Sequence, residues 1–157
     1  MNAPWLERFE AAAAECERHM AVLASALRDL RTQVPISPEA LQAADPALTL
    51  LLDQALYRFT KLQDAMGLRL VPATLAVLQE PFEDRPMLDK LNQLEKIGLL
   101  PSVDQWQNFR QLRNAVAHEY PDRPAHQAQL INAALDAAKH TSDWCRNWLQ
   151  QVRKIRG

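Results

Sequence analysis

Residues 4–31 read PWLERFEAAAAECERHMAVLASALRDLR. Their apolar positions recur in alternating steps of three and four: Leu6, Phe9, Ala13, Cys16, Met20, Leu23, Leu27, Leu30. That period lays one stripe along an α-helix and predicts a long helix packed by that stripe into a bundle. Pro35, Pro38 and Pro46 then break the pattern, so 32–45 reads as a loop, with Ser37-Pro38-Glu39 able to start a short helical turn.

The same seam returns three more times. Asp45 before Pro46 caps a second long helix, whose stripe is Leu48, Leu52, Ala55, Phe59, Leu62 and Met66. Gly67 is the expected cap, and Pro72 permits only a kinked or restarted helix through Leu78. The segment 80–86 (EPFEDRP) reads as a loop, and a shorter helix over 87–97 closes at Gly98. Ser102, with Gln105 three residues on, opens a helix expected to run to Tyr120, where Pro121 stops it. The last long helix buries Leu135, Ala138, Cys145, Trp148, Leu149 and Val152. The expected fold is all-α, an up-and-down bundle of four long helices with additional short helices, in a single domain over 1–157.

Composition agrees with that reading. The 157 residues include 24 Ala and 24 Leu against 16 of Val, Ile and Thr together, an excess of helix formers over strand formers. A chain of this length buries roughly 70% of its unfolded surface. Three isolated glycines cannot build a phosphate-cradling loop, which excludes Rossmann and P-loop nucleotide sites. The net charge of −1 argues against wholesale electrostatic binding of nucleic acid, so any such contact needs a local patch. Lys139, Arg146, Arg153, Lys154 and Arg156 form one basic stretch, read first as a solvated helix end. Cys16 and Cys145 fall on apolar positions without metal-ligand spacing and read as buried reduced thiols. No signal pattern or membrane-length apolar run is present, and the expected location is cytoplasmic.

One position breaks the stripe of the 102–120 helix. Its seam is Trp106, Phe109, Arg113, Val116, Tyr120, and Arg113 stands where an apolar residue belongs. A guanidinium there snorkels to water, pairs with a carboxylate on a facing helix, or lines a wet cleft. His118 follows five residues on, about 140° around the axis. Asn114 precedes it by one turn, within reach to orient the imidazole. A permanent cation beside a histidine suits phosphodiester cleavage, the one stabilising charge and the other moving a proton.

The stretch Arg113-Asn114-Ala115-Val116-Ala117-His118-Glu119-Tyr120 resembles the R-x(4)-H-x-Y signature of HEPN-domain proteins, specifically HepT-like toxins of HEPN/MNT toxin–antitoxin pairs. The resemblance implies a helical bundle that forms a homodimer and brings two motifs into one cleft as a metal-independent ribonuclease. His118 would be the general acid/base for attack by the RNA 2′-OH, Arg113 would bind the scissile phosphate, and Asn114 would support the site. Tyr120 matches the tyrosine that the cognate MNT-type nucleotidyltransferase antitoxin modifies with AMP. The alternative is a non-catalytic helical binding subunit of such a nucleotidyltransferase. The chain departs from the smallest HepT proteins in its longer first helix and in the loops at 32–46 and 80–86.

Arg110, Lys61 and Asp64 are the further candidates for contact with the RNA. Arg58, Lys61 and Asp64 share three-residue spacing on a polar face, read as solvated, with Asp64 pairing Arg113 as the other reading. His19, His126 and His140 read as isolated and exposed. The tryptophans at 5, 106, 144 and 148 read as core or dimer interface. No cofactor and no metal is expected, since His118-Glu119 lacks the second histidine of a zincin site.

Overall fold

The computed structural model describes residues 3–80, 82–118 and 122–156. The described chain is an all-α bundle of α1 (Ala3–Leu30), α2 (Pro38–Ala43), α3 (Pro46–Ala65), α4 (Val71–Val77), α5 (Met87–Lys96), α6 (Val103–Val116) and α7 (Pro124–Arg156). Side-chain pairs set the direction of each long helix. His19 meets Arg58 and Glu15 meets Arg69, so α1 and α3 run antiparallel. Asp64 meets Arg113 while Gly67 lies beside Arg110, which reverses α6 on α3. Phe109 packs on His140 and Trp144, and α7 returns beside α1, where Arg153 and Arg156 reach Glu10. The four long helices therefore go up, down, up, down.

The predicted stripes form the core. Phe9, Ala13, Cys16, Leu23 and Leu30 of α1 meet Ala55, Phe59 and Leu62 of α3 and Cys145, Trp148 and Val152 of α7, all fully buried. Both cysteines are free thiols in that core. Burying such side chains contributes about 1.5–3 kcal/mol each, and this term orders the bundle. Trp148 donates its indole N–H to Thr74 Oγ1 at 2.9 Å, so this large core side chain is satisfied. Trp106 and Trp144 are core residues too.

Capping follows the sequence at three of the helix starts. Ser37, Asp45 and Ser102 each accept from a backbone N–H three residues on. Gly98, at φ +86°, ends α5 in a Schellman turn, with Leu99 N–H on Leu94 O at 2.9 Å and Gly98 N–H on Glu95 O at 3.1 Å. The loop before α3 is tied down by Asn132 of α7, which accepts from Ile36 N–H at 2.7 Å and donates to Ile36 O at 2.9 Å.

The structure corrects two expectations. Gly67 does not cap α3: Met66–Leu70 forms a π-helical turn that carries the chain directly into α4. The apolar seam continues through buried Met66, Leu70 and Val71, and packing keeps the chain helical. Pro72 lacks an N–H and its ring would press on the carbonyl four residues back, and the widened turn just before it relieves that clash. The helix holding the Arg113 motif ends at Val116, not Tyr120. The last helical turn thus belongs to Arg113 and Asn114, and His118 stands beyond it.

Candidate functional site

Arg113 lies in the last turn of α6 with its side chain only 17% exposed. Its Nη1 donates to Asp64 Oδ1 of α3 at 2.5 Å. An arginine in an apolar seam is tolerated because this carboxylate faces it across the α3–α6 contact, and the ion pair returns part of the desolvation cost. Among the three fates open to this arginine, pairing with a facing helix is the one realised. Asp64 is itself 39% exposed, so the pair sits at the rim of the bundle and not inside it.

His118 is exposed, two residues past the end of α6, with its backbone N–H on Ala115 O at 3.2 Å. No hydrogen bond among the described residues joins its ring to Asn114, whose side chain is exposed. The expected orienting contact is thus absent from this arrangement, because the chain leaves the helix between the two residues. Glu119, Tyr120 and Pro121 lie outside the described residues, and with them the expected modification site.

The other candidates gather around Arg113 in a recognisable order along α3. Arg110, half-buried on α6, has Nη1 3.9 Å from where a Cβ on Gly67 would stand, one turn beyond Asp64. Lys61, exposed one turn before Asp64, holds its ammonium 5.6 Å from the centroid of the Tyr57 ring. Arg58, Lys61 and Asp64 do not form one solvated face, since Asp64 takes Arg113 and Arg58 turns toward α1.

There Arg58 Nη1 meets His19 Nδ1 at 3.0 Å, and His19 Nε2 lies 3.4 Å from Glu15 Oε2. Glu15 also accepts from Arg69 of the π-helical turn. His19 is therefore neither isolated nor exposed, its side chain being 12% accessible. Burial holds its pKa below the ordinary imidazole value, with Arg58 and Arg18 adding to the effect and Glu15 opposing it. The four-residue spacing of Glu15 and His19 is visible in the sequence, but nothing in it announces Arg58 from the facing helix. His140 is half-exposed as expected, yet not isolated: it stacks on Phe109 with ring centroids 6.2 Å apart and lies 3.5 Å from Asp136.

The basic end of α7 is tied to the bundle. Arg153 reaches Glu10 and Glu17, and Arg156 reaches Glu10 at 2.6 Å. Burial raises the Glu10 carboxyl, and the hydrogen bonds and charges of the two arginines more than offset it, leaving its pKa lowered. Arg153 and Arg156 are therefore neutralised within the bundle, while Lys139 and Lys154 of the same stretch are exposed.

Beyond Val116 a groove of about 640 Å³ opens between α3 and the start of α7, lined by Leu52, Leu56, Val116 and Ile131 with Asp53 and Gln127 among them. Among the described residues no group of three metal-ligating side chains converges, and no helix is long and apolar enough to cross a membrane. The chain matches no family model, no curated protein and no solved structure.

Proposed function

We propose that this chain is a metal-independent endoribonuclease of the HEPN type, the toxin of a toxin–antitoxin pair whose antitoxin is a nucleotidyltransferase. The observation that supports the reading is an arginine held by a carboxylate in the last turn of α6, followed five residues on by an exposed histidine. In the proposed reaction His118 accepts the proton of an RNA 2′-hydroxyl, and the 2′-oxygen attacks the adjacent phosphorus. The bond from phosphorus to the 5′-oxygen breaks, and that oxygen leaves with a proton taken from water, giving a 2′,3′-cyclic phosphate and a 5′-hydroxyl. Arg113 stabilises the negative charge gathering on the phosphorane oxygens.

Asp64 holds one guanidinium nitrogen, and the remaining N–H groups would take the phosphate. Two copies joined as a homodimer would enclose a cleft that one copy leaves open, since His118 is exposed in a single chain. AMP on Tyr120, two residues from His118, would add a bulky anion at that cleft and exclude RNA.

The second reading, a non-catalytic binding subunit of the nucleotidyltransferase, draws on the same ion pair, because a closed Arg113–Asp64 contact needs no phosphate to satisfy it. Growth on expression separates the two. Arg113→Ala and His118→Ala are expected to relieve toxicity while the dimer remains folded. Full toxicity in either variant overturns the catalytic assignment.

A further inference from the structure

The face of α3 beside Arg113 carries an aromatic ring held between two cations. Tyr57 is 55% exposed, with Arg58 Cζ and Lys61 Nζ each 5.6 Å from its ring centroid. Among the described residues no carboxylate pairs with Arg58, Lys61 or Arg110. Arg58 is underused as well, since its Nε is buried without a hydrogen-bond partner. Among the described residues Lys61, Arg110 and Arg113 stand on the α6 side of α3 against the carboxylate of Asp64, while Arg58 and Arg69 turn toward His19 and Glu15 of α1. Two net positive charges thus gather on this face of a chain whose total is −1, and Asp53, one turn before Tyr57, marks where the patch ends.

This face is in register with the cleavage motif. Gly67 lies against Trp106 and Arg110, Asp64 against Arg113, and Val116 walls the same groove as Leu52 and Leu56. From Tyr57 to Gly67 the helix rises about 15 Å, room for a few nucleotides of an extended strand.

We infer that Tyr57, Arg58 and Lys61 form a binding surface for single-stranded RNA, with a base stacked on the Tyr57 ring and the cations on the flanking phosphates. The choice of RNA rests on the proposed ribonuclease activity. An exposed ring stacks only on a base already out of a helix, which selects single strands over duplex. A second copy of this chain fits the patch poorly, because two-fold pairing would set its net positive charge against itself.

The test is fluorescence anisotropy of the full chain with a labelled 2′-O-methyl oligonucleotide, which lacks the proton that cleavage requires and so reads binding alone. Tyr57→Ala should weaken binding about 10- to 100-fold, and Tyr57→Phe should restore it. Lys61→Glu should weaken binding and flatten its dependence on salt. A duplex of the same sequence should bind more weakly than the single strand. No binding by wild type, or equal binding by Tyr57→Ala, overturns the inference. So does a Tyr57→Ala chain that turns monomeric while its RNA affinity is unchanged, which would make this face the contact between copies. Tyr57-dependent binding in a protein that leaves ordinary RNA intact would uphold the surface and overturn the nuclease reading.

Discussion

Removing one member of the Arg113–Asp64 pair should cost stability, whereas replacing the arginine by an apolar side chain of similar reach should not. The pair is closed at 2.5 Å with Arg113 17% and Asp64 39% exposed, between a surface ion pair and a buried one. Exposed pairs contribute about 0.2–1 kcal/mol, and breaking a buried pair costs about 3–5 kcal/mol. Discounted for the solvent at Asp64, Asp64→Ala should cost about 1–2 kcal/mol. At about 2–4 °C per kcal/mol for a chain of this size, thermal unfolding would come earlier by about 2–8 °C. Arg113→Met keeps the packed stem in a seam that is otherwise apolar, and should fall within about 1 kcal/mol of wild type. In the double variant Asp64→Ala should then cost almost nothing. The assay is a double-mutant cycle by urea unfolding at one ionic strength. Additive single effects would refute the claim that Asp64 holds Arg113, and an arginine in the seam would then have no partner to account for it.

Other consequences follow from the core and its polar inclusions. Gln63 is fully buried with neither amide atom hydrogen-bonded, so Gln63→Met, close in volume, should raise stability by about 1–2 kcal/mol in the same unfolding assay; a loss would mean the amide has a partner in solution. Thr74→Val strands the Trp148 indole N–H inside the core and should cost about 1–3 kcal/mol, read as an earlier thermal midpoint. The lowered pKa of His19 means that the unfolded chain binds its proton more readily, so the His19 contribution is intact above the ordinary value of 6.5 and declines as pH falls below it. His19→Asn should flatten that part of the stability–pH profile, and an unchanged slope would contradict it.

The fold was legible because its signals are local and agree with one another. The stripes of α1, α3 and α7 became buried helix faces, that of α6 is buried only at Trp106 among the described residues, and Ser37, Asp45, Ser102 and Gly98 acted at the helix ends assigned to them. Gly67 misled because a glycine after an apolar run looks like a helix end, while buried residues on both sides carried the helix onward. The end of α6 was misplaced because Ala115, Val116 and Ala117 contain no breaker, and helix ends fray by a turn at little cost. For the site, the break in the stripe at Arg113 left three fates open, a partner on a facing helix among them, and Asp64 stood as that partner only in the second reading of a face that reads first as solvated. The Glu15–His19–Arg58 network and the exposed Tyr57 were not legible in this way. Both depend on how α1 and α3 face each other, which no single-helix pattern encodes.

The role proposed for the motif turns on His118 and Arg113 cleaving RNA without a metal. Incubating the purified protein with total cellular RNA in EDTA, wild type beside His118→Ala, decides it. Cleavage by wild type alone, leaving 2′,3′-cyclic phosphate ends, is the expected result. Intact RNA in both reactions, from a folded protein whose Tyr120 is unmodified, would contradict it.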